Sequence, residues 1–314
     1  VLLQTPDAFL PEKFWLVAMM SRAWSEKNQV TKPQDYNAKQ ETFAVRNAMG
    51  TGPFQLKRYD ADVRTQLATN PQWWGRDSHP GNVDEAQFLV IQSDATRLAA
   101  LSSGQLDLIL DPPFQDVARL RQDRGLKLLE STDIGTQYLA FNQHLPELPG
   151  SNVKGRNPFK DQRVRRAVYQ AIDMDLIVRQ VLRGQAKSTG SHIAPQLDGY
   201  LPELESRLPY DPAAARRLLK EAGYPDGFST AFDCVNVSYR QAVCQAIAAM
   251  LGRVGIKAGF QTSPSALFFP KLTQATISLA EFGWAPGGDP WGMLHAIVRS
   301  HDGSSAGVFN AGRY

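Results

Sequence analysis

The sequence has few of the residues that usually mark chemistry. Its two cysteines, Cys234 and Cys244, do not form a CxxC pair, which excludes a zinc ribbon and a thioredoxin-type redox motif. Of the histidines His79, His144, His192, His295 and His301, no two share the spacing of HExxH and none lies near a cysteine. No metal site is read from the sequence, and no cofactor is expected. Gly50-Thr51-Gly52 lacks both the third glycine of a dinucleotide loop and the lysine of a phosphate loop. Asp173 and Asp175 are two apart and would face different ways on a helix, so they make no acid–base pair. No apolar run approaches the roughly 18 residues of a membrane span; Phe14–Met20 is only core-sized. A charge excess is missing too. The 34 basic and 31 acidic side chains leave a net +3 with no long basic run, which argues against a nucleic-acid partner.

What remains is ordinary globular material. Hydrophobic residues make up 43% and charged residues 21%, and 314 residues suggest about two domains. The pattern is mixed. An apolar helical segment is expected at Lys13–Trp24, then a hairpin from Phe54–Tyr59 and Val63–Ala68. Strands are read at Ala86–Ile91, Leu106–Leu110, Leu126–Glu130 and Gln137–Asn142. The intervening helices fall at Ala95–Ser103, capped by Asp94, and at Phe114–Arg124, an alternation that suggests βαβ units and a partly parallel sheet. The Pro/Gly/Asn-rich stretch Pro146–Pro158 is the best internal boundary candidate. Beyond it lie helices at Gln162–Ile172, Leu176–Leu182, Ala213–Ala222 and Tyr239–Val254, with strands at Ser229–Asp233 and Ile256–Gln261. The fold class is therefore α/β.

Three segments invite a functional reading. Gly303-Ser304-Ser305-Ala306-Gly307 matches GxSxG, which in a hydrolase would hold Ser305 on a strand-to-helix elbow. No apolar strand precedes it, and no Asp, Glu or His follows it, so a serine hydrolase using Ser305 is the weaker alternative and a flexible loop the stronger. The segment Phe282–Trp291 follows the β-like run Ile277–Glu281 and sets Trp284 and Trp291 around a Gly/Pro loop with one carboxylate, Asp289. Aromatic faces with one placed charge suit a small-molecule site. Two roles are open for Asp289, pairing with a ligand cation or capping the helix Trp291–Ile297. Asp111-Pro112-Pro113-Phe114 closes an expected strand, and strand ends favour ligands, so Asp111 and Phe114 are further candidates.

Several segments together resemble the bacterial extracellular solute-binding proteins of the dipeptide, oligopeptide and nickel type. They include Met49-Gly50-Thr51-Gly52-Pro53-Phe54, Asn70-Pro71-Gln72-Trp73-Trp74-Gly75, Phe141-Asn142, Asn157-Pro158-Phe159-Lys160-Asp161-Gln162-Arg163-Val164-Arg165, Tyr210-Asp211-Pro212 and Glu221-Ala222-Gly223-Tyr224-Pro225-Asp226-Gly227-Phe228. They occur in the family's order, and the ordered set is what makes the likeness specific. The resemblance implies a two-lobed periplasmic-binding-protein fold of the large peptide-binding class. It implies a periplasmic or extracytoplasmic receptor, not an enzyme, that closes on a peptide-like or other small solute and hands it to the membrane permease of an ABC transporter. It assigns residues 1–135 to an incomplete first lobe and 136–314 to the second. Further chain is expected before Val1, and a helix and a returning strand after Tyr314. The first hinge crossing is expected near Asp133–Asn142, which makes Thr136 and Tyr138 cleft candidates. Peptide-binding members typically hold the peptide amino terminus with an aspartate three residues after the tryptophan matching Trp284. Here that position is Gly287; Asp289, two residues later, matches instead the acid before proline, which is usually not the anchor, so the resemblance does not imply an ordinary peptide ligand. For the cysteines, a reduced buried pair and a disulfide are both open; an extracytoplasmic setting makes the Cys234–Cys244 bond reasonable.

Overall fold

The computed structural model describes residues 6, 10, 14, 19–35, 41–286, 290–303 and 306–313. The chain divides into two compact units, Val1–Pro112 and Pro113–Tyr314.

The first unit is built on a small antiparallel sheet. Helices α1 (Arg22–Lys27) and α2 (Phe43–Arg46) precede it. Strands β1 (Phe54–Asp60), β2 (Arg64–Thr69) and β3 (Glu85–Leu89) then pair in the order β1-β2-β3. The hairpin is in the expected place, with an irregularity between Leu56 and Arg58. Helix α3 (Asp94–Ser102) follows and buries Leu98 and Ala100. Its cap is Ser93 rather than Asp94: the Ser93 hydroxyl accepts from the Thr96 amide, while Asp94 sits in the first turn and pairs with Arg97 at 2.7 Å. Of the helix expected at Lys13–Trp24, residues 13 and 15–18 lie outside the described residues, and the described helix begins at Arg22.

Two expected strands are absent. Leu106–Leu110 and Leu126–Glu130 are irregular, and Leu108, Leu110 and Leu129 stand exposed. Alternating apolar residues make a strand only when a neighbouring ladder takes up the backbone groups, and none of the described strands pairs with either segment. The expectation of βαβ units in this region therefore fails; the parallel pairing lies in the second unit.

That unit opens with α4 (Val117–Gln122) and β4 (Thr136–Phe141). Helix α5 (Gln162–Ala171) is capped by Asp161 and buries Val164, Ala167, Val168 and Ala171, the spacing of one helical face. A short α6 (Met174–Leu176) continues into a π-turn over Ile177–Val181. Helix α7 (Pro212–Glu221) has Asp211 as cap and Pro212 in its first turn. Then come β5 (Phe228–Val235), α8 (Ser238–Gly252), β6 (Ile256–Ser263), α9 (Ser265–Thr273), β7 (Leu279–Trp284) and α10 (Pro290–Ile297). The sheet order is β4-β7-β5-β6; β5 runs parallel to both β6 and β7, and β4 is antiparallel to β7.

Each face of this sheet is covered. On one, Leu139, Phe141, Phe232 and Leu279 pack against α5, α7 and α8. On the other, Ala280 and Phe282 pack against Phe268 and Leu272 of α9. Two buried asparagines fix the loop after β4. Asn142 donates to the carbonyls of Ala275 and Ile277, and Asn157 donates to those of Asn142 and Leu145.

Candidate functional site

The parallel strands β5 and β7 end at Val235 and Trp284, and β4 begins beside them at Thr136. The carboxyl ends of strands in an open α/β sheet are the preferred ligand edge. The pairing Thr136↔Trp284, Gln137↔Gly283, Tyr138↔Phe282 and Leu139↔Glu281 sorts the side chains, because alternate residues of a strand face opposite ways.

Thr136, Tyr138, Phe282 and Trp284 share the α9 face. The Thr136 hydroxyl donates to the His192 carbonyl at 3.2 Å. The Tyr138 ring lies 4.7 Å from the His192 ring, edge to face, and 4.6 Å from Phe282. Trp284 lies 4.7 Å from Phe309. Burial lowers the His192 pKa, so the imidazole is neutral at pH 7. The result is a wall of aromatic and hydroxyl groups.

Gln137, Glu281 and Gly283 share the α8 face. A β-carbon on Gly283 would run into the Gln137 side chain, so the glycine is what lets Gln137 lie across β7. Arg240 of α8 donates to the Gln137 side-chain oxygen at 2.6 Å. Its other terminal nitrogen is 3.8 Å from the Glu281 carboxylate, too far for a hydrogen bond. Glu281 is 3% exposed, and burial pushes its pKa up to about 7 against the partial relief that Arg240 supplies. The Cys244 sulfur is 4.0 Å from the same carboxylate but belongs to the Cys234–Cys244 disulfide and has no proton to donate. That bond ties the end of β5 to the first turns of α8, with Cα atoms 6.7 Å apart.

The predicted residues fall as follows. Thr136, Tyr138 and Trp284 sit together on the wall. Phe114 stacks on Tyr239 at the start of α8, 5.4 Å between rings. Trp291 is exposed on α10 beside His295, 5.8 Å away, and no ring contact joins it to Trp284 among the described residues. Asp111 belongs to the first unit, exposed and with a positive φ of 49°. Gly287, Asp289 and Ser305 lie outside the described residues. Sequence reasoning missed His192, Phe309, Gln137, Arg240 and Glu281. None lies in a recognisable motif, and each acquires its role only through a contact distant in sequence. Among the described residues no cluster of His, Cys, Asp and Glu is arranged to hold a metal ion, and no helix is long and apolar enough to cross a membrane.

Residues 3–305 match the family described as Bacterial extracellular solute-binding proteins, family 5 Middle. The chain belongs to that family. Its members are solute-binding proteins rather than enzymes, and the serine-hydrolase reading of Ser305 finds no support. The chain is 30% identical over 283 residues to the heme-binding protein A of Haemophilus influenzae, covering 88% of this chain and 48% of that protein. It is 27% identical over 268 residues to the dipeptide-binding protein of Escherichia coli, covering 82% and 47%. The chain thus spans about half the length of these curated relatives. Among solved structures, the periplasmic binding protein DppA of Helicobacter pylori, in complex with the peptide STSA, superposes with a TM-score of 0.79 at 21% identity. That match covers 99% of this chain and 60% of the other. It shows the fold: mixed α/β, of the periplasmic peptide-binding class.

Proposed function

We propose that the chain is part of an extracytoplasmic receptor that captures a peptide-like solute and delivers it to the membrane permease of an ABC transporter. Residues 1–135 would belong to one lobe and 136–314 to the other, with hinge closure around the solute. The observation that carries the reading, beyond family membership, is the wall formed by Thr136, Tyr138, His192 and Trp284 at the carboxyl edge of the sheet. Rings and hydroxyls with no net charge suit an apolar or aromatic side chain and a few polar atoms of a solute, which is how small-molecule sites gain affinity and orientation. The glycine at position 287, where peptide-binding members carry the anchoring aspartate, argues for a solute whose amine is held differently from that of an ordinary dipeptide, or one that has none.

The test is a thermal-shift panel of dipeptides, glutathione, opines, sugars and haem on the full-length mature protein. A solute at 100 times its Kd stabilises by roughly 2.7 kcal/mol. The expected result is a saturable shift with one solute class that Trp284→Ala weakens at least tenfold. If no solute shifts the melting curve, or if Trp284→Ala leaves affinity unchanged, the wall is not the site. Loss of a peptide hit in Asp289→Asn would assign the anchoring role to that acid.

A further inference from the structure

The outer layer of the second unit carries a charge pattern that solute capture does not use. Helices α5 and α7 run antiparallel. The Gln170 carbonyl accepts from the Asp211 amide at 2.9 Å at one end, and Arg163 reaches the Glu221 carbonyl at 2.8 Å at the other. This register sets Arg166 level with Arg217. The inner positions of both helices are sealed into the core, with Val164, Ala167, Val168, Ala215 and Leu219 at 1% exposure or less. Of the exposed outer positions, Arg163, Arg166, Arg216, Arg217 and Lys220 are basic, Gln162 and Ala213 are neutral, and Glu221 is acidic.

Few of these cations are neutralised. Arg163 pairs with Asp161 at 2.6 Å. Arg165 instead donates to the carbonyls of Phe159 and Lys160, and Arg216 to that of Arg253. Arg156 lies over the Tyr224 ring, 4.5 Å from its centroid. Carbonyls and rings orient a guanidinium without cancelling its charge. Arg166, Arg217 and Lys220 form no ion pair among the described residues; the acids lie at the ends of the helices, Asp161, Glu221 and Asp226 at one end and the cap Asp211 at the other. Neither helix contributes to the large exposed hydrophobic residues of the chain.

We propose that this α5–α7 face docks electrostatically on the anionic phospholipid headgroups of a membrane. A protein partner is disfavoured because tight protein interfaces are anchored by buried aromatic or aliphatic side chains, and this face offers none. A plane of lipid phosphates needs no such anchor. Unpaired arginines and lysines near an anionic leaflet each add attraction that salt screens. Such docking would hold the receptor at the membrane surface, where a permease is found, without a membrane span.

The experiment is co-sedimentation of the full chain with vesicles of 30% phosphatidylglycerol in phosphatidylcholine, against pure phosphatidylcholine, at pH 7.5 in 50 mM and 500 mM NaCl. Binding is expected only to the anionic vesicles and only at low salt. The triple variant Arg166→Gln/Arg217→Gln/Lys220→Gln should lower the partition coefficient by roughly 100-fold. Removing the same net charge elsewhere, with Arg119→Gln/Arg121→Gln/Lys127→Gln, should lower it much less. All six side chains lie on the surface, and a circular dichroism melt checks that both variants fold. Equal binding to neutral vesicles, no binding to anionic ones at low salt, or equal loss in the two triple variants would each overturn the proposal. Retention on immobilised polyglutamate without retention on anionic vesicles would point to an acidic protein instead and would overturn it as well.

Discussion

Glu281 gives the sharpest test of the second unit. Its carboxyl group is buried on β7, receives no hydrogen bond among the described residues, and has only the Arg240 guanidinium at 3.8 Å to favour its charge. Burial therefore outweighs the ion pair, and the group keeps its proton up to about pH 7, whereas an unfolded glutamate loses it near 4.5. Because the folded value is the raised one, the stabilisation is fully present below about pH 4.5. It falls as the unfolded state ionises first and is gone once pH has risen through about 7. At about 1.36 kcal/mol per pH unit, the loss across this window is about 3 kcal/mol.

Glu281→Gln replaces the acid by a permanent neutral mimic and removes that dependence. Melting temperatures of the variant and the parent should be measured every half unit from pH 4.5 to 8.5. Every other titrating group is common to the two proteins, so it cancels in the difference. The variant should gain about 3 kcal/mol relative to the parent between the two ends of the range. For a unit of this size that is a change of roughly 6–12 °C in the gap between the two melting temperatures. Parallel curves would refute the reasoning and show that Arg240 holds the acid ionised. A variant that loses stability relative to the parent as pH rises would refute it more strongly.

Two other positions test the packing. Asp233 is 3% exposed and is held by Lys271 at 2.7 Å and Gln261 at 3.0 Å. Lys271→Met should cost about 3 kcal/mol in a chemical melt by leaving a buried carboxylate without a countercharge, and a loss below about 1 kcal/mol would mean that Gln261 suffices. Gly227 has a φ of 73°, and a β-carbon there would sit on the Gly255 carbonyl oxygen of the neighbouring turn. Gly227→Ala should therefore cost more than about 3 kcal/mol or abolish folding, read as lost soluble yield or a collapsed melting temperature. A parent-like melt would show that the two turns separate freely.

The legible part of the sequence was the part that builds the scaffold. Asp161 and Asp211 cap helices, Phe159 and Tyr224 fill the core, Asn142 and Asn157 tie down a loop, and Gly227 admits a neighbouring backbone. These residues lie within the segments that carry the family resemblance. Each satisfies a local rule of capping, turn geometry or burial, which is why each leaves a short, readable pattern. The segments Leu106–Leu110 and Leu126–Glu130 form no strand because a short apolar run does not record whether a partner strand exists. Ser93 displaced Asp94 as the cap because either residue type can cap a helix and only geometry decides between them.

The site obeys the opposite logic. His192 reaches Tyr138 and Thr136 from a loop more than fifty residues away in sequence. Arg240 links Gln137 to the vicinity of Glu281 across three elements. Such contacts satisfy no local rule, so the sequence carries no local trace of them. If the proposed wall is the site, a scaffold written in local patterns and a wall assembled from distant single residues allow the ligand to change while the fold does not. The same motifs can then serve relatives named for heme and for dipeptides. The proposed capture of a solute therefore rests on Thr136, Tyr138, His192 and Trp284, and not on the segments that place the chain in the family.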